Sequence, residues 1–72
     1  MMNPVSALTE TVRRVRAEFL EMPGLKLTVS QAQRLWGVDR PTCEAVIEQL
    51  TEARFLSRTR DGAVVLRGAT SG

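Results

Sequence analysis

Residues 27–67 read LTVSQAQRLWGVDRPTCEAVIEQLTEARFLSRTRDGAVVLR, and the order of signals in this stretch decides the fold. Thr28 and Gln31 have the spacing of a capping box, in which each side chain satisfies a backbone donor at a helix start. A short helix over 29–36 follows, with Ala32, Leu35 and Trp36 as its inner side and Ser30, Gln31 and Arg34 outward. Gly37 supplies the left-handed residue that closes it, and Val38 returns the chain to the core.

The next helix is predicted over 40–54. Asp39 is one candidate cap and Arg40 the other, since the residue before Pro41 is biased away from helical dihedrals. Cys43, Val46, Ile47 and Leu50 make a buried stripe, while Pro41, Glu44, Ala45, Glu48 and Glu52 lie opposite. The segment 55–67 is predicted as a hairpin turning at Asp61-Gly62. A two-residue loop puts Arg58 and Arg60 on the face of Leu56 and Val65. A three-residue loop, Arg60-Asp61-Gly62, aligns Leu56, Val64 and Leu66 inward and is the preferred register.

Upstream, Asn3-Pro4 predicts the start of a helix over 4–22. Leu8, Val12, Val15, Phe19 and Met22 share one face of it. Glu10 and Arg14 are spaced for an exposed ion pair, while Arg13, Arg14 and Arg16 spread around the helix as solvated side chains. Pro23-Gly24 ends the helix, and 25–27 alternates as a brief strand that can lie beside the hairpin. GATSG at 68–72 is predicted to fray.

A chain of 72 residues holds one small domain, 1–72, and 43% hydrophobic with 25% charged residues argues for a folded core. Such a domain buries only about 60% of the surface its unfolded chain exposes, so an oligomeric contact would add stability. A net charge of +2 tilts the expected partner toward an anion. The charge is uneven: from 37 to 56 two arginines meet four carboxylates, whereas from 57 onward three arginines meet only Asp61. With one cysteine, Cys43, and no histidine, neither an intramolecular disulfide nor an ordinary zinc set is available, and no metal or cofactor is expected. No apolar run approaches the roughly 18 residues of a membrane helix and MMNPVSALTE lacks a secretory apolar region, so no membrane association and a cytoplasmic location are expected.

At GVDRPTCEAVI the sequence resembles the winged helix-turn-helix superfamily, especially small bacterial regulators of the multiple-antibiotic-resistance type. Gly37 matches the turn glycine, Val38 the apolar residue after it, Cys43 the small residue facing the preceding helix, and Asp61-Gly62 the wing tip. Gln33 stands where a small residue is common, and Arg54 where glycine is frequent. The resemblance implies a mainly α fold with a small β-hairpin wing, in the order helix, strand, helix, helix, strand, strand. It also implies a transcription regulator reading double-stranded DNA with the third helix and the wing. Position by position, Arg40, Pro41, Thr42, Glu44 and Ala45 are carried to the groove, with Gln49 farther back and Gln31 and Arg34 on the DNA backbone. Arg58 and Arg60 flank the wing tip, where a guanidinium pairs with phosphate or enters a minor groove; charge there also protects an edge strand.

Glu44, Glu48 and Glu52 argue the other way, since they form an acidic ridge that phosphate repels. The alternative function is therefore a protein-interaction module using that ridge, with Arg40 neutralising Glu44. An enzyme is not expected, because Cys43 lies on the core stripe beside no candidate base. Trp36 is expected in the core rather than as a stacking platform. A weak homodimer through the first helix is expected, with Val5, Leu8, Val12 and Leu20 as its apolar edge.

Overall fold

The computed structural model describes residues 4–68, with side chains from residue 8 onward. The predicted Asn3 cap, the Val5 contact and the frayed tail beyond Gly68 lie outside the described residues. The elements run α1 (Pro4–Glu21), β1 (Lys26–Thr28), α2 (Val29–Trp36), α3 (Arg40–Glu52), β2 (Leu56–Arg58) and β3 (Ala63–Leu66). Three helices and one three-stranded antiparallel sheet, ordered β1-β3-β2, make an α+β domain.

The capping signals act as the sequence predicts. The Gln31 N–H donates to Thr28 Oγ1 at 3.2 Å, and the Thr28 N–H donates to Gln31 Oε1 at 2.9 Å. Gly37 closes α2 at φ 68°, with the Val38 N–H bonded back to the Gln33 carbonyl at 3.2 Å. Asp39 is the cap of α3: its carboxylate accepts from the Thr42 N–H at 3.1 Å, and Arg40 is already helical.

α3 ends in the same way as α2, through a different residue. The Phe55 N–H donates to the Leu50 carbonyl at 2.9 Å and the Arg54 N–H to Thr51 at 3.0 Å, a Schellman closure. The left-handed position of that closure is Arg54, at φ 63°, the only non-glycine residue with positive φ among those described. The closure stops α3 at Glu52, two residues before the predicted end.

The hairpin takes the three-residue loop. Leu56 pairs with Leu66, Ser57 with Val65 and Arg58 with Val64, and the Thr59 N–H donates to the Ala63 carbonyl at 2.9 Å, leaving Arg60, Asp61 and Gly62 as the turn. β1 pairs with β3, Leu27 opposite Val64. Leu27, Leu56 and Val64 thereby face the helices and join the core with Val12, Val15, Phe19, Ala32, Trp36, Cys43, Val46, Ile47 and Leu50. Ala63 and Val65 are also buried, outside that cluster. Strand alternation puts them on the other face of the central strand.

Met22, on a helix face that is either core or subunit contact by its pattern, and Leu35, on the predicted inner side of α2, are not in the core. Met22 lies one residue past the end of α1 and is 57% exposed, and Leu35 is 48% exposed. Both line an open apolar groove of about 450 Å³ with Leu25, Leu27, Glu18 and Lys26. Arg14 also pairs differently from expectation: its Nε lies 3.7 Å from Glu18 Oε2, and its Nη2 donates to the Leu35 carbonyl at 3.2 Å. The same Glu18 accepts from Trp36 Nε1 at 3.1 Å, so α2 is held to α1 by one connected set of bonds. The expected apolar edge of a dimer is reduced as well. Val12 is in the core and Leu8 packs against it, which leaves Leu20 as the exposed member among those described.

Two outcomes follow for stability. Val46→Asp or Ile47→Asp puts a charge at a site with no solvent exposure; burial of an unpaired charge costs several kcal/mol, against a total on the order of 5 kcal/mol, so urea titration should find either variant unfolded. Arg54→Gly removes the left-handed penalty and should stabilise the domain by about 1 kcal/mol, read as a raised melting temperature.

Candidate functional site

The nominated residues divide by what their polar atoms already do. Gln31 spends its carbonyl oxygen on the α2 cap. Thr42 serves the Asp39 cap, where its side chain first and then its N–H hold the Asp39 carboxyl below the usual carboxylate range. Arg40 Nε donates to Glu44 Oε2 at 3.0 Å, the neutralising pair expected from the sequence. Pro41 is exposed on the first turn of α3, and Ala45 is half-buried and carries no polar side-chain atom. The first turn of α3 is therefore well ordered, and most of its side-chain polar groups are engaged within the chain.

A different set remains open to solvent. Arg34, Gln49, Arg58 and Arg60 are exposed, and none makes an ion pair or side-chain hydrogen bond among the described residues. Glu48 and Glu52 are likewise exposed and unpaired, on the face of α3 opposite the core stripe.

The hairpin tip owes its character to a residue that sequence reading did not nominate. Lys26 Nζ lies 3.2 Å from Asp61 Oδ2. Lys26 pairs with Val65, four residues along β3 from Asp61, while Thr28 pairs with Ala63 beside the turn, so the long lysine side chain runs along the sheet to reach the tip. Thr59 also donates its hydroxyl to Asp61. The Thr59 bond, followed by Lys26, holds the Asp61 carboxyl below its ordinary range. The one acid of the hairpin is thus neutralised from β1, and Arg58 and Arg60 are left as uncompensated cations. Alternation keeps Arg58 on the side of Leu56, and it reaches solvent because β2 is an edge strand.

Cys43 is fully buried, its Sγ 3.8 Å from the Val29 carbonyl. Desolvation first, then the Glu44 charge, pushes the thiol pKa upward, which disfavours the thiolate that nucleophilic chemistry requires. Trp36, at 3% exposure, is a core residue as the sequence indicated. No described helix is long and apolar enough to cross a membrane.

The lowered Asp39 and Asp61 carboxyl groups set the direction of the acid response. A carboxyl whose pKa falls on folding stabilises the native state above its unfolded pKa, and that contribution is lost as pH drops through the folded value. Melting temperatures should accordingly decline as pH falls through and below the carboxylate range. Asp39→Ala should lower the melting temperature at neutral pH by removing the α3 cap, and flatten part of that decline. In comparisons with known proteins, no family model, no curated protein and no solved structure matches this chain.

Proposed function

We propose that this chain is a winged helix-turn-helix domain that binds duplex DNA in transcriptional control, with the β2–β3 hairpin as its wing. The observation that carries the reading is the charge state of the hairpin tip: Lys26 takes Asp61, and Arg58 and Arg60 face solvent without a carboxylate partner among the described residues. Two free guanidinium groups on a short, ordered turn suit phosphate or a narrow minor groove. The order of elements supports the same reading, with α2, the Gly37 turn and α3 preceding the hairpin.

In this reading α3 contributes less base recognition than the family pattern implies. Arg40 must leave Glu44 before it can bond a base or phosphate, and Thr42 must give up part of the Asp39 cap. Of the candidate residues on α2 and α3, Arg34 and Gln49 are the polar side chains that contact DNA without such a cost. The role is binding, and no residue is assigned to catalysis.

The second reading, protein docking on α3, rests on one observation. Glu48 and Glu52 are exposed and unpaired beside Glu44, and such a ridge suits a basic partner. Opposed substitutions separate the two. Arg58→Ala with Arg60→Ala should weaken binding to most duplexes and reduce the slope of log affinity against log salt by up to about two. Glu44→Gln with Glu48→Gln should strengthen non-specific DNA binding by removing repulsion. A silent arginine pair, together with loss of biological output in the glutamate pair alone, would overturn the DNA reading in favour of docking.

A further inference from the structure

The ten basic residues of the chain sort into two classes once folded. Arg14, Lys26 and Arg40 are ion-paired, to Glu18, Asp61 and Glu44. The others make no ion pair among the described residues, and three of them stand beside one residue, Phe55. Arg16 lies over the Phe55 ring, with its Cζ 5.1 Å from the centroid. Arg54 precedes that residue, and Arg67, just past the end of β3, donates its N–H to the Phe55 carbonyl at 2.9 Å. All three arginines are exposed, and Arg13 is exposed one turn before Arg16. Of the carboxylates nearest to them along the chain, Glu18 is paired to Arg14, Asp61 to Lys26, and Glu52 to none of the three.

Two costs therefore fall on one spot. Gathering like charges is unfavourable until a counter-charge arrives. Arg54 also holds a left-handed conformation in which glycine is ordinary, and backbone strain concentrates at functional positions. The geometry is suited to a particular counter-charge. A guanidinium held over a ring face makes no hydrogen bond to it, so its donors stay free for a two-pronged contact with a phosphate. A polymer that repeats its charge can occupy several such groups together, whereas an isolated anion occupies one.

We infer that Arg16, Arg54 and Arg67, gathered around Phe55, form a phosphodiester-binding surface for a nucleic acid at the base of the hairpin, the end away from its tip. Phe55 and Arg58 are three residues apart, about 10 Å along a strand, so the surface and the tip can be altered separately. The inference does not require the tip to bind DNA.

The test is a two-by-two comparison on the whole chain. Arg54→Gly with Arg67→Gln removes the base arginines, and Arg58→Ala with Arg60→Ala removes those of the tip. The probe is a labelled duplex of mixed sequence, with a single strand of the same length beside it, titrated from about 50 to 200 mM salt. The base variant should lose at least tenfold in affinity at low salt and lower the log–log slope by about two, in the wild-type and tip-variant backgrounds alike. Arg16→Lys, which keeps the charge and loses the fork, should weaken binding with little change of slope. Arg54→Gly relieves strain, so the base variant should melt no lower than the wild type; if it does not fold, Arg16→Gln alone replaces it, with an expected slope change of about one. Unchanged affinity and slope in a folded base variant overturn the inference, whatever the tip does. A silent tip variant beside a weakened base variant overturns the hairpin reading alone. Wild-type protein that binds neither probe overturns both, and displacement of the probe by polyglutamate as readily as by unlabelled DNA assigns the surface to an acidic protein instead.

Discussion

The indole of Trp36 sets the terms for the rest of the fold. Its ring is buried, so its N–H has to find an acceptor inside the protein, and Glu18 is that acceptor. Glu18 is in turn held by Arg14, whose other nitrogen satisfies a carbonyl in the last turn of α2. This connected set fixes α2 against α1. Because Gly37 and Asp39 then determine how α3 departs from α2, the orientation of the central helix derives from the same contact. Cys43 completes the joint: it is small enough to let α3 approach the start of α2, where its sulfur meets the Val29 carbonyl.

Local chemistry was readable in the sequence wherever the decisive partners were close neighbours. Thr28 with Gln31, Gly37, Asp39 and the Arg60-Asp61-Gly62 loop all act within a few residues of themselves, and each formed as its pattern indicates. Met22 and Leu35 show where the pattern runs out. Both continue an apolar periodicity, but the core beneath them has ended, and no local signal marks that edge. Arg14 is another instance, since carboxylates stand four residues away on either side and only the Leu35 carbonyl, brought near by the tertiary fold, favours Glu18.

The charge pattern of the candidate surfaces was the least legible part. A count of residues makes the hairpin basic, but it does not reveal that Lys26, from a distant strand, cancels Asp61. Nor does it reveal that Arg16 lies over the Phe55 ring while the Arg67 backbone bonds to the same residue. Arg40 is the opposite case: prominent in sequence, and already occupied by Glu44 in the fold. Pairing separates cations that support the structure from cations left available to a ligand, and pairing is a property of the folded chain.

The strand order β1-β3-β2 has a consequence for the path by which the protein forms. The central strand is the last of the three in sequence, and it joins β1 across contacts such as Lys26 with Val65. Closing so long a loop is entropically slow compared with helix formation. The helices, whose contacts are more local, can therefore form and associate before β3 docks. During that interval Leu27 and the core side of the helices lack their cover, and β1 offers an unpaired edge. The docking of residues 63–66 closes both at once, so the folding chain is most vulnerable to misassociation just before β3 joins the sheet.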